Sequence, residues 1–194
     1  MTASTIQDQY ELRALDATDL ALVGQVDRSE SNTAEYVALP SDDGLSLRLT
    51  RVPVDPPSHI PPWGEAAVAM RIGWWKPEVE AGGFFLGAFH QQTLCGFGVL
   101  GPVKEDRSIE LHALFVDAGC RRSGVGGLLL RELERAAMRL GASSVWCGSN
   151  RTASAVEFYL KHGYRVISLN SNAVVRHRSG DPVMAKLLRR NDGG

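Results

Sequence analysis

The fold is decided by the stretch Arg121-Arg122-Ser123-Gly124-Val125-Gly126-Gly127. The residues before it, 108–116, are mostly apolar and predict a strand. The residues after it carry apolar side chains at helical spacing as far as Leu140, and Gly141 predicts the end of that helix. The stretch is therefore predicted to be a basic turn between a strand and the N-terminus of a helix.

This predicted turn is suited to binding an anion. The first N–H groups of a helix have no partner inside the helix, and the helix dipole adds partial positive charge beside them. Gly124 and Gly126 let a phosphate approach the backbone without meeting a Cβ, and Arg121 and Arg122 add formal charge and forked donors. The glycine spacing matches neither a P-loop nor a G-x-G-x-x-G loop, so the sequence predicts a phosphate site of another type.

Two patterns, in this order along the chain, resemble the GCN5-related N-acetyltransferase (GNAT) superfamily, which binds acetyl-coenzyme A. The turn fits Arg/Gln-x-x-Gly-x-Gly/Ala. The segment from Asn150 to Tyr164 fits the companion pattern Asn…Ala-x-x-Phe-Tyr-x-x-x-Gly-Phe/Tyr. The matched motifs cover about residues 84–170, and the N-terminal third is similar to the family only loosely.

The resemblance implies the acyl-CoA N-acyltransferase fold, an α/β fold. Its sheet would be mixed and twisted, with six or seven strands and helices on both faces. We expect one GNAT domain over residues 1–194. It would comprise an acceptor-side part at about 10–82, an acetyl-CoA-binding core at about 84–170 and a C-terminal strand at about 182–188.

Two segments of the acceptor-side part have a distinctive composition. Residues 53–62 hold five of the chain's nine prolines and predict an extended connector, because proline disfavours helices and central strands. Residues 64–80 predict a helix, with Ala67, Met70 and Trp74 on one side.

The composition excludes several classes of protein. A net charge of −1 argues against nucleic-acid binding, and no apolar run reaches the roughly 18 residues of a membrane-spanning helix. The N-terminus lacks the regions of a signal peptide, so we expect a cytoplasmic protein. Cys95, Cys120 and Cys147 lack metal-ligand spacing, and we expect no metal site. The oligomeric state stays open, with a homodimer among the possibilities.

The resemblance also implies which residues hold acetyl-coenzyme A. Main-chain groups of Leu114, Phe115 and Val116 would bond the pantetheine arm like an added strand, where this strand splays from the next one. An amide of this segment would polarise the thioester carbonyl. The phosphates would lie on the turn, at Arg121, Arg122, Ser123, Gly124, Val125, Gly126 and Gly127. The companion pattern adds Asn150, Ala155 and Phe158.

Transfer of an acetyl group to an amine also needs an acid and a base. Tyr159 matches the family's proton donor to the leaving thiolate, and its phenol is protonated at neutral pH. The alternative is a core aromatic residue, which we assign to Phe158 instead. Glu110 is the candidate base, at the spacing from Arg121 found in the histone-acetylating branch. His112, on the same strand face, is a second candidate, and a water chain is a third.

The acceptor side is less defined. A first helix is predicted from residue 18 or 19 to about residue 26 or 29, and Arg28 and Glu30 lie in the polar cluster that closes it. They either line the acceptor site, as the resemblance implies, or form a solvated helix end. Trp74 and Trp75 either cover the core or form a wall of the acceptor pocket. His112 completes this set of candidate substrate-binding residues.

These residues predict an N-acetyltransferase that uses acetyl-CoA and acts by direct attack in a ternary complex. We expect the acceptor to be a primary amine of a small molecule or amino-acid-like metabolite. Acetylation of a protein N-terminus or lysine is the alternative within the enzyme class. A non-catalytic coenzyme A-binding regulatory module is the alternative outside it, and the presence of Tyr159 argues against it.

Overall fold

A computed structural model describes residues 9–40, 42, 46–169 and 180–189. The strands are β1 (Glu11–Leu15), β2 (Glu30–Pro40), β3 (Leu47–Ile60), β4 (Phe84–His90), β5 (Thr93–Leu100), β6 (Ser108–Val116), β7 (Ser144–Gly148), β8 (Arg165–Leu169) and β9 (Pro182–Leu187). The α-helices are α1 (Glu65–Glu80), α2 (Val125–Arg139) and α3 (Ala153–Lys161), and short 3₁₀ helices cover Asp19–Gln25 and Ala118–Cys120. Within these ranges no helix is both long and apolar enough to cross a membrane.

Seven of the strands form one sheet, in the order β1-β4-β5-β6-β7-β9-β8. The pairs β1-β4, β4-β5, β5-β6 and β8-β9 are antiparallel. Strands β2 and β3 form a separate antiparallel pair. The predicted fold class, an α/β fold with a sheet of six or seven strands, is confirmed.

Residue contacts divide the chain into two compact units. The first unit comprises Met1–Ser29, Pro61–Val145 and Leu187–Gly194, and the second comprises Glu30–Ile60 and Trp146–Lys186. The expectation of one domain over the whole chain therefore stays a prediction.

In the first unit, helices cover both faces of the sheet. On one face Phe97 of β5 lies in an aromatic cluster with Trp75 of α1, at 5.7 Å between ring centroids. On the other face glycines of β5 let α2 come close. A Cβ added at Gly98 would lie 2.3 Å from Leu133 Cδ1. The prediction of helices on both faces is confirmed within this unit.

Helix α1 buries only part of the side predicted from its spacing. Met70 is 46% exposed, whereas Trp75 is 4% exposed. The apolar side chains of α1 that lie in or pack against the core are Val68, Ile72, Trp74, Trp75 and Val79. Apolar residues occur all round this helix, so only packing selects between its faces.

In the second unit, the proline-rich segment is a strand rather than a connector. Strand β3 continues to Ile60, and its last residues pair with the start of β2, with Ser31 opposite His59. A strand of a two-stranded ladder has one edge without a partner strand, and proline is tolerated at such an edge. The expectation that residues 53–62 avoid a helix and a central strand still holds for β3.

Candidate active site

The turn before α2 leaves the helix N-terminus open. Gly124 occupies the N-cap position in the left-handed region, with φ of +90°, and no side chain caps the helix. The helix begins with the bond from Leu128 N–H to Gly124 O, at 3.1 Å. The N–H groups of the first turn have no acceptor within the helix, so they are placed to bind an anionic ligand.

Neighbouring side chains brace this turn. The Ser123 hydroxyl donates to the Cys120 carbonyl at 2.6 Å, and the Tyr10 hydroxyl donates to Ser123 Oγ at 2.9 Å. The Asp117 carboxylate accepts from Gly119 N–H at 2.8 Å. These bonds hold the turn in place before any ligand arrives.

The two arginines of the turn have different environments. Arg121 is half-buried, and its guanidinium donates to the carbonyls of Ser29, at 2.6 Å, and Val116, at 3.3 Å. Arg122 is exposed with φ of +63°, and no described residue accepts a hydrogen bond from its side chain. Arg121 thus holds the backbone around the turn, while the charge of Arg122 is available to a phosphate.

The alternation of side chains between the two faces of β6 is interrupted between Glu110 and Leu114. Its pairing with β5 shifts in register where Ala113 opposes Val99 and Leu111 opposes Leu100. The shift places Leu114, opposite Gly98, on the α2 face of the sheet, because cross-strand partners share a face. Regular alternation along β6 would put Leu114 on the same face as Glu110 and His112, and the register shift prevents this.

Main-chain groups of Leu114, Phe115 and Val116 pair with β5, opposite Gly98, Phe97 and Gly96. The main-chain groups of these residues that do not face β5 lie on the opposite edge of β6. The predicted splaying of this edge stays a prediction.

Two carboxylates flank one buried imidazole on the α1 side of the first unit. His112 Nδ1 lies 3.1 Å from Glu110 Oε1, and His112 Nε2 lies 3.4 Å from Glu78 Oε2. The imidazole is only 4% exposed. Gly101 leaves room for it, since a Cβ there would be 2.6 Å from Nε2. A neutral imidazole can donate to one carboxylate and an imidazolium to both, so this trio can take up a proton.

The predicted acceptor residues of the first unit fall into two groups. Trp75 lies in the core cluster, which makes it a poor candidate for substrate contact. Trp74 is half-buried, and the Arg71 guanidinium lies 5.8 Å from its ring centroid. Arg28 lies over the ring of Trp63, at 5.8 Å.

In the second unit, Tyr159 is more buried than Phe158. Tyr159 is 9% exposed and its ring centroid lies 5.2 Å from that of Tyr164. Burial, followed by the neighbouring Cys147 and Tyr164 side chains, raises the pKa of Tyr159 well above its usual value. Phe158 instead packs against His162, with 4.4 Å between ring centroids and the rings tilted by 40°. The assignment of the core position to Phe158 was wrong, because Ala153, Val156 and Tyr159 form the buried side of α3.

The other predicted residues of the second unit support the start of α3. Asn150 Oδ1 accepts hydrogen bonds from Thr152 N–H, at 3.1 Å, and from the Thr152 hydroxyl, at 2.6 Å. Ala155 is half-buried in the following turn. The carboxylate of Glu30 accepts from the Ser154 hydroxyl, which gives Glu30 a role in this unit's own packing.

Cys120 is unsuited to nucleophilic catalysis. Burial, followed by a hydrogen bond with the Cys95 thiol, raises the pKa of the Cys120 thiol to about 12. The thiolate is the reactive form of cysteine, so this side chain stays unreactive near neutral pH. Within the described residues, no group of three His, Cys, Asp or Glu side chains could hold a metal ion.

A family model supports this interpretation of the turn. The model described as "Acetyltransferase (GNAT) family" matches residues 50–164, more than half of the chain. The chain belongs to the GNAT family of acetyltransferases.

Individual proteins resemble this chain either over a short segment or at low sequence identity. The uncharacterized N-acetyltransferase YjcF of Bacillus subtilis is 50% identical over 59 residues, which are 30% of this chain and 41% of YjcF. The match thus spans less than half the length of this relative. Nourseothricin acetyltransferase has a similar structure, with a TM-score of 0.73 and 21% identity, covering 93% of this chain and 99% of that one.

A second solved structure carries the cofactor. The PaiA N-acetyltransferase of Thermoplasma acidophilum, in complex with coenzyme A, has a TM-score of 0.58 and 20% identity. The match covers 92% of this chain and 98% of that one. At these identities the two structural matches show the fold.

Sequence reasoning missed two charged residues of α1, Arg71 and Glu78. They are seven residues apart and so lie on one side of the helix, two turns from each other. Their spacing was visible in the sequence, but their partners, Trp63 and His112, lie outside this helix.

The two arginines of the turn should respond differently to substitution. Arg122→Ala should weaken coenzyme A binding by on the order of 1 kcal/mol at low salt, with less effect at high salt, because an exposed charge is screened. Arg121→Ala should instead lower the free energy of unfolding, since two carbonyls lose their donor. Calorimetric titration and urea unfolding measure these effects, with Arg131→Ala as an exposed control. Equal effects of the two changes on both measurements would contradict the assignment.

Proposed function

We propose that this chain is an acetyl-CoA-dependent N-acetyltransferase that acts on the primary amine of a small molecule. The observation that carries the proposal is the uncapped N-terminus of α2 behind the left-handed Gly124. The same unit contains the Glu110–His112–Glu78 trio, and the family match covers this region. A binding site for a phosphate-containing donor and a group that accepts protons are the two parts such a transferase needs.

The turn and strand β6 would hold the donor. Pyrophosphate oxygens would accept from N–H groups at the start of α2, with Gly126 leaving space for them and Arg122 adding charge. Pantetheine would lie along the edge of the segment from Leu114 to Val116 that faces away from β5, where the predicted splay would leave main-chain groups unpaired. Acetyl-CoA supplies an activated thioester, whose carbonyl an amide of this segment would polarise.

The reaction moves two protons. The amine nitrogen bonds to the carbonyl carbon while the carbon–sulfur bond breaks and leaves its electron pair on sulfur. The nitrogen must lose a proton, which Glu110 accepts directly or through His112 or a water molecule. Sulfur must gain a proton, which we assign to the Tyr159 hydroxyl.

The environment of Tyr159 has two consequences for this role. Its raised pKa keeps the hydroxyl protonated at neutral pH, as a proton donor requires. The same increase makes the phenol a weaker acid, so proton transfer has to be driven by the basicity of the emerging thiolate. The effect of removing the Tyr159 hydroxyl on kcat therefore distinguishes a general acid from a buried structural tyrosine.

A small-molecule acceptor is supported by the aromatic residues around the segment from Leu114 to Val116, which we call the thioester segment. Trp63 packs edge-on against Phe115 of β6, with 4.6 Å between ring centroids. Such walls suit an enclosed pocket better than an extended protein surface. The solved neighbour named nourseothricin acetyltransferase is consistent with this class of acceptor.

Thiol release from acetyl-CoA tests the proposal directly. We expect turnover with members of a panel of small amines and amino acids, and weaker turnover with peptides and folded proteins. Mass spectrometry of the product should show one added acetyl group. Tight binding of acetyl-CoA without thiol release for any acceptor would overturn the proposal in favour of a binding module.

Tyr159→Phe separates the two roles of Tyr159. If the hydroxyl protonates the thiolate, kcat should fall by about 10²–10⁴-fold while the affinity for acetyl-CoA is kept. Tyr164→Phe is the matched control, because Tyr164 is also buried and contacts the same ring. A wild-type kcat in Tyr159→Phe, combined with a lower melting temperature, would make the hydroxyl structural.

Glu110→Gln should lower activity most near neutral pH. The loss should shrink as the pH approaches the pKa of the acceptor amine, since a base matters less once the amine is neutral. Steady-state rates over this pH range measure the effect, with Glu105→Gln in an exposed turn as control. A loss that is independent of pH would assign Glu110 to orienting the acceptor instead.

A further inference from the structure

The first unit contains two arginines that share one aromatic ring. The guanidinium of Arg71 lies 4.6 Å from the centroid of the Trp63 ring, and that of Arg28 lies 5.8 Å from it. Arg71 also lies 5.8 Å from the Trp74 ring. Stacking on tryptophan orients the Arg71 guanidinium and leaves its in-plane N–H groups able to donate hydrogen bonds.

The charge of Arg71 has no compensating carboxylate in the described residues. No Asp or Glu of these ranges forms an ion pair with it, and no described group accepts a hydrogen bond from it. Burial, followed by the like charge of Arg28, lowers the pKa of Arg71. The indole Nε1 of Trp63 is buried and also has no acceptor. The Arg71 guanidinium and the Trp63 indole N–H are thus two neighbouring donors to which the described residues offer no acceptor.

This donor-rich cluster lies near the chemistry of the proposed reaction. The Trp63 ring contacts Phe115 in the thioester segment, at 4.6 Å. Along α1, Arg71 and Glu78 are separated by about 10.5 Å of helix rise. Helix α1 thus carries a cation near its middle and, towards its C-terminal end, a member of the proton-accepting trio.

We propose that Arg71 binds a carboxylate of the acceptor, which is then an amine that also carries an acid group, like an amino acid. This inference rests on the proposed acetyltransferase function and narrows its substrate class. A planar guanidinium can bind a carboxylate through two parallel hydrogen bonds. The trio at Glu110, His112 and Glu78 attracts the ammonium group, and Arg71 attracts the carboxylate. The like charge of Arg71 and Arg28 also disfavours acceptors with a second ammonium group at this end.

Matched acceptors test the assignment. Initial rates of thiol release from acetyl-CoA are measured with amino acids and with the same compounds as carboxamides. The wild-type protein should prefer the acids by tenfold or more in kcat/KM. Arg71→Gln should remove that preference through KM, Arg71→Lys should retain part of it, and Arg131→Gln, exposed on α2, should leave it unchanged.

Three outcomes are distinguishable. Equal use of acids and carboxamides, or an acid preference that survives in both folded Arg71 variants, would overturn the carboxylate assignment and leave the acetyltransferase function intact. Faster release from succinyl-CoA than from acetyl-CoA, lost in Arg71→Gln, would place the carboxylate on the acyl group and so also overturn it. No release with any acceptor, despite acetyl-CoA binding, would overturn the proposed function itself.

Discussion

The left-handed conformation of Gly124 is the constraint on which the proposed site depends. A residue with a Cβ pays roughly 1–2 kcal/mol for this conformation, and φ here is +90°. The glycine lets the chain leave β6 and enter α2 without a capping side chain. The open helix end and the thioester segment are therefore separated by only a few residues, as a donor with phosphates at one end and a thioester at the other would require.

A second constraint acts on the strand itself. The register shift between β5 and β6 turns Glu110 and His112 towards α1, while Leu114 faces α2. In the proposed mechanism, the first half of this strand serves the acceptor and its second half serves the donor. Packing supports both halves, because Gly101 makes space for the imidazole and Gly98 makes space for Leu133. A regular strand would place alternate residues on one face throughout and would mix the two tasks.

The sequence predicts features that depend on neighbouring residues better than features that depend on residues far apart along the chain. The turn, β6 and α2 were predictable because glycine spacing and apolar periodicity are local signals. The buried side of α1 was not, since its selection depends on Phe97 and Phe115 from distant strands. The role of Arg121 was also hidden, because its carbonyl partner Ser29 lies 92 positions away. The order of burial of Phe158 and Tyr159 likewise depends on contacts outside α3.

Binding of coenzyme A to the N-terminus of α2 is the central claim, and calorimetric titration of the wild-type chain and Gly124→Glu tests it most directly. Glutamate adds a Cβ where φ is positive and a negative charge where the pyrophosphate would lie. We predict that wild-type protein binds coenzyme A and binds pantetheine, which lacks the phosphates, far more weakly, and that folded Gly124→Glu loses coenzyme A binding. Unchanged coenzyme A affinity in a variant whose circular dichroism spectrum remains that of the wild type would contradict the account.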